Sequence, residues 1–586
     1  MSERLRSSMV RPPPGGGRHA GATAFQWLRR YFPFFILGGA FLWSAVTIVT
    51  TRVQESPPGT ITLHISHWQL ETGVKEALEL MARRYQELHP NVRVVQNIIP
   101  ESAYGTWLTT NLLGGTAPDM VEIPDSSKLP HDVMISYYSR YFVPMTPYVS
   151  RLNPYNKGTD LENVPLRRTY KDGMRGAYIQ ELQDYMHIPL SLFGVRIFYN
   201  KDLYQRLTGK TKPPADYREF LAVCETIKSQ KDAQGRNYIP ICAANDSMWA
   251  WESQMFDPIS YSALRKVDFD RDGFASAEEV YAAFKTGLID FQHPAYKARY
   301  KVTWEVTGYF PVGFTGLARD DSVFQFAQQR GVFLSTGTWD ARSLIAQADG
   351  TFEIGVMDFP MPRSDDPEYG AVVEGPQYEG MPEGGFPVGI TRTSPHQDVA
   401  LDFLFFMASR EQNEKVNDVM GWIPITIGAQ MDSFYDAFAP RLEGVYGALS
   451  VLGLGGETRS RYQQLYTLFQ SHDIPYEAFV AQFEPFYKQR GAVDFEERQR
   501  DWRRDLQRNE YLLGAMRADA LAAAGAEAAS KWVKYRAMTA SRQVLAEIDH
   551  NRKVALVVQG PALGAAAPYE YSPAVLQKIR ARLRGQ

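Results

Sequence analysis

Between Thr60 and about residue 430 the chain alternates short apolar runs of strand length with longer runs that turn apolar every third or fourth residue. Thr60–His67 (TITLHISH) reads as a strand, and Val74, Leu78, Met81, Tyr85 and Leu88 then mark one face of a helix that Pro90 ends. Val92–Val95 is the next strand, followed by a helix through Trp107 and Leu112 that closes at Gly114-Gly115, and by the strand Pro118–Ile123. Farther on, Val195–Tyr199, Gly331–Ser335 and Ile354–Phe359 are strand-like. Helices are expected from Asp216, from Asp320-Asp321, and from Ser394, a capping serine with Pro395 at the first helical position and Gln397 three residues on. Such alternation predicts an α/β protein with mostly parallel sheet and helices on both faces.

The N-terminus carries a different signal. Residues 1–30 hold Arg4, Arg6, Arg11, Arg18, Arg29 and Arg30 against Glu3, and the run Pro12–Gly17 reads as part of a disordered basic arm. Tyr31–Thr50 then runs without a charge, long enough as a helix to cross a hydrocarbon layer of ~30 Å. With arginines in front, residues 1–30 should stay cytoplasmic and residues 31–50 should act as a transmembrane anchor or signal that exports the rest. A cleaved signal is the rival reading, although no clear cleavage site follows. No cysteine lies near this segment, which excludes a lipoprotein anchor.

Beyond about residue 440 strands give way to long amphipathic helices, for example Phe495 through Met538, with a turn expected in the Ala518–Ala529 stretch around Gly525. Near the end, Ser572-Pro573 starts a helix with Val575, Ile579 and Leu583 on one face, read as a solvated helix. The net charge of -3 gives no reason to expect nucleic-acid binding. The two cysteines, Cys224 and Cys242, have no zinc-type spacing; they read as buried apolar fillers, with a disulfide between them left open. No nucleophile motif, zinc pattern or phosphate loop is visible, so no catalytic residue is assigned.

Six blocks in order carry a family resemblance. They are Pro189–Val195 leading into Phe198–Leu203, Pro213-Pro214 before Tyr217–Phe220, Gly331–Leu334 running into Gly337–Asp340, Gly384–Phe386, Gly389-Ile390, and Gly421–Pro424. Together they resemble the family 1 extracellular solute-binding proteins of ABC importers, typified by maltose-binding protein. The resemblance implies a two-lobe periplasmic-binding-protein fold with an interlobe cleft, here with an N-terminal transmembrane helix and a C-terminal helical extension. It implies crossovers near His187–Gly194 and Gly355–Pro360. Lobe one would take 58–188 plus 359–400, lobe two 193–355 plus 401–440, and the extension 441–586. It further implies a carbohydrate, mono- or oligosaccharide, as ligand, permease subunits as partners, and a bacterial cytoplasmic membrane location with the main domain periplasmic. A membrane-tethered sugar-sensing module not coupled to import is the alternative.

A sugar presents hydroxyls around its ring and C–H patches on its faces, which carboxylates, amides and planar aromatics match. In open α/β sheets such groups stand at the carboxyl ends of strands. The candidates there are Trp68, Gln69, Glu122, Asp125, Trp249, Trp251, Trp339 and Asp340, with Trp422 after a helix and Phe193 at the crossover. One segment departs from the family: Asp268–Glu279 follows D-x-D-x-D-G-x5-E throughout. Asp268, Asp270, Asp272, Phe274 by its carbonyl, Ser276 and Glu279 are the expected ligands of a structural Ca2+ in this EF-hand-like loop.

Overall fold

The computed structural model of the protein describes residues 59–125, 128–179, 182, 184–268, 275–379, 384–441, 443–445 and 455–543, except the side chains of 131, 132, 502, 503, 505–509, 526 and 541–543. The segment Tyr31–Thr50 lies outside these residues. Among the described residues no helix is long and apolar enough to cross a membrane. The described residues divide into two compact units, one of residues 59–62 with Asn91–Arg93 and one of Leu63–Pro90 with the described residues from Val94 on. Within the smaller unit the Ile61 amide donates to Asn91 O at 2.8 Å. The larger unit holds two lobes.

Lobe one is a six-stranded sheet. Its strands are β1 (Ile61–His67), β2 (Val92–Ile98), β3 (Met120–Glu122), β4 (Ile188–Leu192), β9 (Gly384–Ile390) and β10 (Ile423–Pro424), in the order β10-β4-β9-β3-β1-β2. Helix α1 (Val74–Leu88) buries Val74, Ala77, Leu78, Met81 and Tyr85 on the predicted face, while Leu88 at its end is exposed. Helix α2 (Glu101–Gly114) brings Tyr104, Leu108 and Leu112 against Trp68, Val121 and Ile123.

Lobe two is a four-stranded sheet in the order β8-β5-β7-β6, from β5 (Val195–Asn200), β6 (Ile239–Cys242), β7 (Gly331–Gly337) and β8 (Ile354–Met357). Helix α3 (Tyr217–Ser229) begins where predicted, with the Asp216 side chain accepting from the Glu219 amide at 3.0 Å. It packs Phe220, Val223 and Ile227 on this sheet. Cys224 and Cys242 are buried free thiols, and burial pushes both well up from the ordinary thiol range.

The sheets are mixed, not mostly parallel. β1–β3 and β6–β7 pair parallel, while β9 runs antiparallel to β3 and β4, β10 to β4, and β5 to β7 and β8. The antiparallel members are strands that enter or leave a lobe at a crossover, so their direction is set by the other lobe and not by a local βαβ turn.

The lobe boundaries also differ from those read in sequence. Phe359, Tyr369, Val372 and Val373 pack into the lobe-two core, so the second crossover returns to lobe one only at Gly384, not at 359. Residues 401–424 stay on lobe one: helices α9 (Gln397–Met407) and α10 (Arg410–Met420) cover its sheet, and Ile423-Pro424 joins it as β10. The chain crosses again afterwards, and Phe434 and Phe438 pack on Phe198 of β5. Helix α9 starts at Gln397, two residues later than expected. The Ser394 hydroxyl donates to Asp119 Oδ1 at 2.6 Å and accepts from the His396 amide at 3.1 Å, which holds Ser394 in a turn ahead of the helix.

Outside the two sheets, α4 (Tyr261–Val267), α5 (Ala277–Thr286) and α6 (Pro294–Thr307) share an aromatic core with α11 (Gly456–Gln470) and the N-terminal part of α12 (Tyr476–Ala522). Helix α13 (Gly525–Gln543) turns back along α12 after Ala523-Ala524. Its Lys534 pairs with Asp184 of lobe one.

Candidate ligand cleft

The first connector, Phe193-Gly194, joins β4 to β5 and stands between the sheets. Around it lies an aromatic wall. Phe193 meets Trp339 edge-on at 5.3 Å and Trp422 edge-on at 4.9 Å, and Trp249 stacks on Trp339 at 6.1 Å and 30°. Glycine is needed beneath two of these rings: a Cβ at Gly337 would stand 2.2 Å from the Trp339 ring, and one at Gly385 would stand 2.9 Å from Phe193. Trp339 is half-buried, Trp249 is 48% exposed at the rim, and Trp422 is fully buried behind Phe193 and Phe386.

Lobe one supplies a polar wall. Glu122, at the end of β3, is fully buried; it accepts from Gln69 Nε2 and, at 3.3 Å, from the Trp68 amide. Burial pushes its carboxyl well above the usual carboxylate range, against those two hydrogen bonds. Trp68 meets Tyr104 edge-on at 4.7 Å, and the Lys128 ammonium sits 4.7 Å above the Trp68 ring while it pairs with Asp125 at 2.8 Å and Glu101 at 3.0 Å. Asp125 itself is exposed.

The lobes meet through charge. Arg319, first in α7 (Arg319–Ala327), lies 3.5 Å from Glu71 of lobe one and 3.5 Å from Asp340 of α8 (Thr338–Ala348). Asp340 also accepts from the Thr336 hydroxyl at 2.5 Å. Burial raises the carboxyls of both Glu71 and Asp340, while Arg319 works to lower them. Beside this pair, Arg342 Nη1 donates to Asp418 O at 2.8 Å. Glu71 Oε2 and Trp422 Nε1 are buried without a hydrogen-bond partner. Planar rings beside carboxylates suit a ligand with several hydroxyls and an apolar face.

Of the ten candidates, Trp68, Gln69 and Glu122 gather on one wall, Phe193, Trp249, Trp339 and Trp422 on the other, and Asp340 on the charged contact between them. Trp251 does not join them: it is fully buried among Phe220, Phe256, Phe310 and Phe359 in the lobe-two core. Glu71, Lys128 and Arg319 were missed, and each stands one turn or less from a strand end or helix start.

The bacterial extracellular solute-binding protein family model matches residues 70–414. The chain belongs to that family. Its members are extracytoplasmic binding proteins and not enzymes. Solved structures share the two-lobe fold. GacH of Streptomyces glaucescens, studied unliganded and with acarbose, is 13% identical with TM-score 0.51 over 73% of this chain and 98% of that one. RafE of Streptococcus pneumoniae is 18% identical with TM-score 0.50 over 74% and 99%. A structure concerned with xylan utilization by Caldanaerobius polysaccharolyticus is 16% identical with TM-score 0.50 over 72% and 99%. No curated protein matches the chain.

At the calcium-loop motif, Asp268 caps the end of α4, and 269–274, with Asp270, Asp272 and Phe274, lie outside the described residues. Ser276 opens α5, where its amide and hydroxyl donate to Glu279 Oε2 at 2.9 and 2.8 Å. Among the described residues no three His, Cys, Asp or Glu side chains stand together as a metal site.

Proposed function

We propose that the cleft captures a carbohydrate, a mono- or oligosaccharide, and that the chain is the substrate-binding component of an ABC importer. The observation that carries this reading is that the Trp339–Trp249–Phe193 cluster of rings and the Glu122–Gln69–Trp68 cluster are joined through the Glu71–Arg319–Asp340 contact between the lobes. Ring faces lie on the first and hydroxyls bond to the second. RafE in complex with raffinose, 19% identical with TM-score 0.50 over 73% of this chain and 99% of that one, is a sugar-bound relative in fold that supports the ligand class. Tyr31–Thr50 holds the protein in the bacterial cytoplasmic membrane, and the main domain meets permease subunits outside. The test is a panel of mono- and oligosaccharides in thermal shift: a cognate sugar at about 100 times its Kd stabilises the fold by ~2.7 kcal/mol. A panel with no shift, alongside a peptide or chelate that does shift the fold, overturns the ligand class. A sensing module is the second reading, favoured by the α11–α13 extension. Growth on the cognate sugar that survives deletion of this protein would favour it.

We propose also that Asp268–Glu279 binds a structural Ca2+. Support comes from the unbroken ligand pattern and from the setting between the end of α4 and the start of α5. The ion would supply positive charge that draws Asp268, Asp270, Asp272 and Glu279 together. Melting in calcium and in chelator should differ, and Asp268→Ala should abolish the difference; equal melting temperatures for the parent would remove the site.

A further inference from the structure

Three connectors join the lobes, namely Phe193-Gly194, the segment from Asp358 to Gly384, and the segment that follows β10, and all three converge on one buried guanidinium. Arg196, two residues past Gly194, is 1% exposed. Its Nε donates to Ala437 O at 3.0 Å and stands 2.9 Å from Asp358 Oδ1, just past β8 at the start of the second connector. Nη1 donates to Val195 O at 2.7 Å and to Glu379 Oε1 at 2.8 Å; Nη2 donates to Glu379 Oε2 and Ala439 O, both at 2.9 Å. All five of its N–H donors thus have an acceptor. Glu379, near the far end of the second connector, accepts in addition from the Arg441 amide at 2.9 Å and Arg441 Nη2 at 3.1 Å, and its own amide donates to Arg441 O at 2.8 Å. Arg441 Nη1 reaches Asp358 at 3.2 Å. The first and third connectors also touch directly, since a Cβ at Gly194 would stand 3.0 Å from Phe438 Cβ.

We propose that Arg196, Glu379 and Arg441 form a hinge clamp, which makes Arg196 and Glu379 positioning residues for ligand capture. A hinge needs its bending confined to a few residues. Here the bidentate Arg196–Glu379 pair ties residues 196, 358, 379 and 437–441 into one block, so the connectors bend together and the lobes turn about one axis. Only then do Trp339 and Glu122 meet a ligand in one geometry. Without the clamp the connectors bend independently, the binding-competent arrangement is a smaller fraction of the population, and the apparent Kd rises by the inverse of that fraction.

The affinity consequence rests on the cleft-binding reading, but the clamp is testable without any ligand. Spin labels at Leu113→Cys on α2 of lobe one, where Leu113 is 63% exposed, and at the exposed Gln347→Cys on α8 of lobe two report the interlobe distance by pulsed EPR. The native Cys224 and Cys242 are buried away from the label. In the ligand-free full chain, Glu379→Gln should about double the width of the distance distribution, and Asp358→Asn, at the exposed rim of the clamp, should widen it less. Unchanged widths in both variants, each with one cooperative melting transition, overturn the clamp. If Glu379→Gln does not fold, an unchanged width in Asp358→Asn combined with Arg441→Gln overturns it equally. Failure of every sugar to bind the parent protein overturns the carbohydrate reading and leaves the distance result standing.

Discussion

The lobe-one wall keeps its shape through hydrogen bonds, with Glu122 drawing Gln69 and the Trp68 amide to a single buried carboxyl group. The opposite wall keeps its shape through rings, with Trp422 behind Phe193 and Phe193 edge-on to Trp339. Ring contacts are short-ranged and forgiving of water at the rim, so Trp249 stands half in solvent while it stacks on Trp339. A buried carboxylate has no such latitude, because each lone pair left without a donor costs free energy. The aromatic wall should therefore respond to changes of volume and the polar wall to changes of pH.

The largest expected effect is on the backing of the aromatic wall. Trp422 is fully buried, and truncating a buried aromatic to alanine costs about 3–5 kcal/mol. Trp422→Ala should lower the unfolding midpoint in denaturant accordingly and loosen Phe193. A midpoint within error of the parent would mean that the wall stands on Gly385 and β9 alone. Next comes the face of the wall. An aromatic contact is worth about 0.5–1.5 kcal/mol beyond its burial. Trp339→Ala should thus weaken sugar binding by roughly tenfold in calorimetry, with the fold intact. Equal affinity would remove Trp339 from the site and shift the contact to Trp249.

How far this comparison could be read in the sequence differs between the walls too. The strand-end rule reaches residues directly after a strand, and so finds Trp68, Gln69, Glu122 and Trp339. It fails for Trp251 because Trp249 and Trp251 both lie in a short helix, Met248–Trp251. Two residues apart on a helix is about 200° of turn, so one indole reaches the rim and the other the core. Arg319 escaped because its partners, Glu71 and Asp340, are far away in sequence and no local spacing marks the pair. The lobe boundary at 401–424 escaped for a related reason. A two-residue strand such as Ile423-Pro424 has no periodicity, and only its pairing with Leu192 and Ser191 assigns it to lobe one. Capped helices were the legible part: Asp216 bonds the Glu219 amide as its spacing requires, whereas Ser394 is diverted by Asp119, a partner 275 residues away.

The smallest effect falls on the polar wall, and its sign follows from burial. Burial raises the Glu122 carboxyl well above the ordinary carboxylate range, so the folded chain holds a proton there that the unfolded chain has already released. Stability from this group is full below the unfolded value of about 4.3 and is lost as pH rises toward the folded value. Glu71 and Asp340, also raised by burial, add slopes of the same sign. Glu122→Gln removes one of the three. Its side-chain carbonyl can still accept from the Trp68 amide, and its new NH2 can donate to Gln69 once the Gln69 amide turns over to present its oxygen, so the variant should fold. Between about pH 4.3 and 7 the melting temperature of the variant should fall less steeply with pH than that of the parent. The comparison is of slopes and not of absolute midpoints, because an amide nitrogen also takes the place of a carboxyl oxygen that accepted a hydrogen bond. Parallel slopes would mean that Glu122 keeps an ordinary carboxylate pKa in the folded protein, and that the polar wall tolerates charge as readily as the aromatic wall tolerates water.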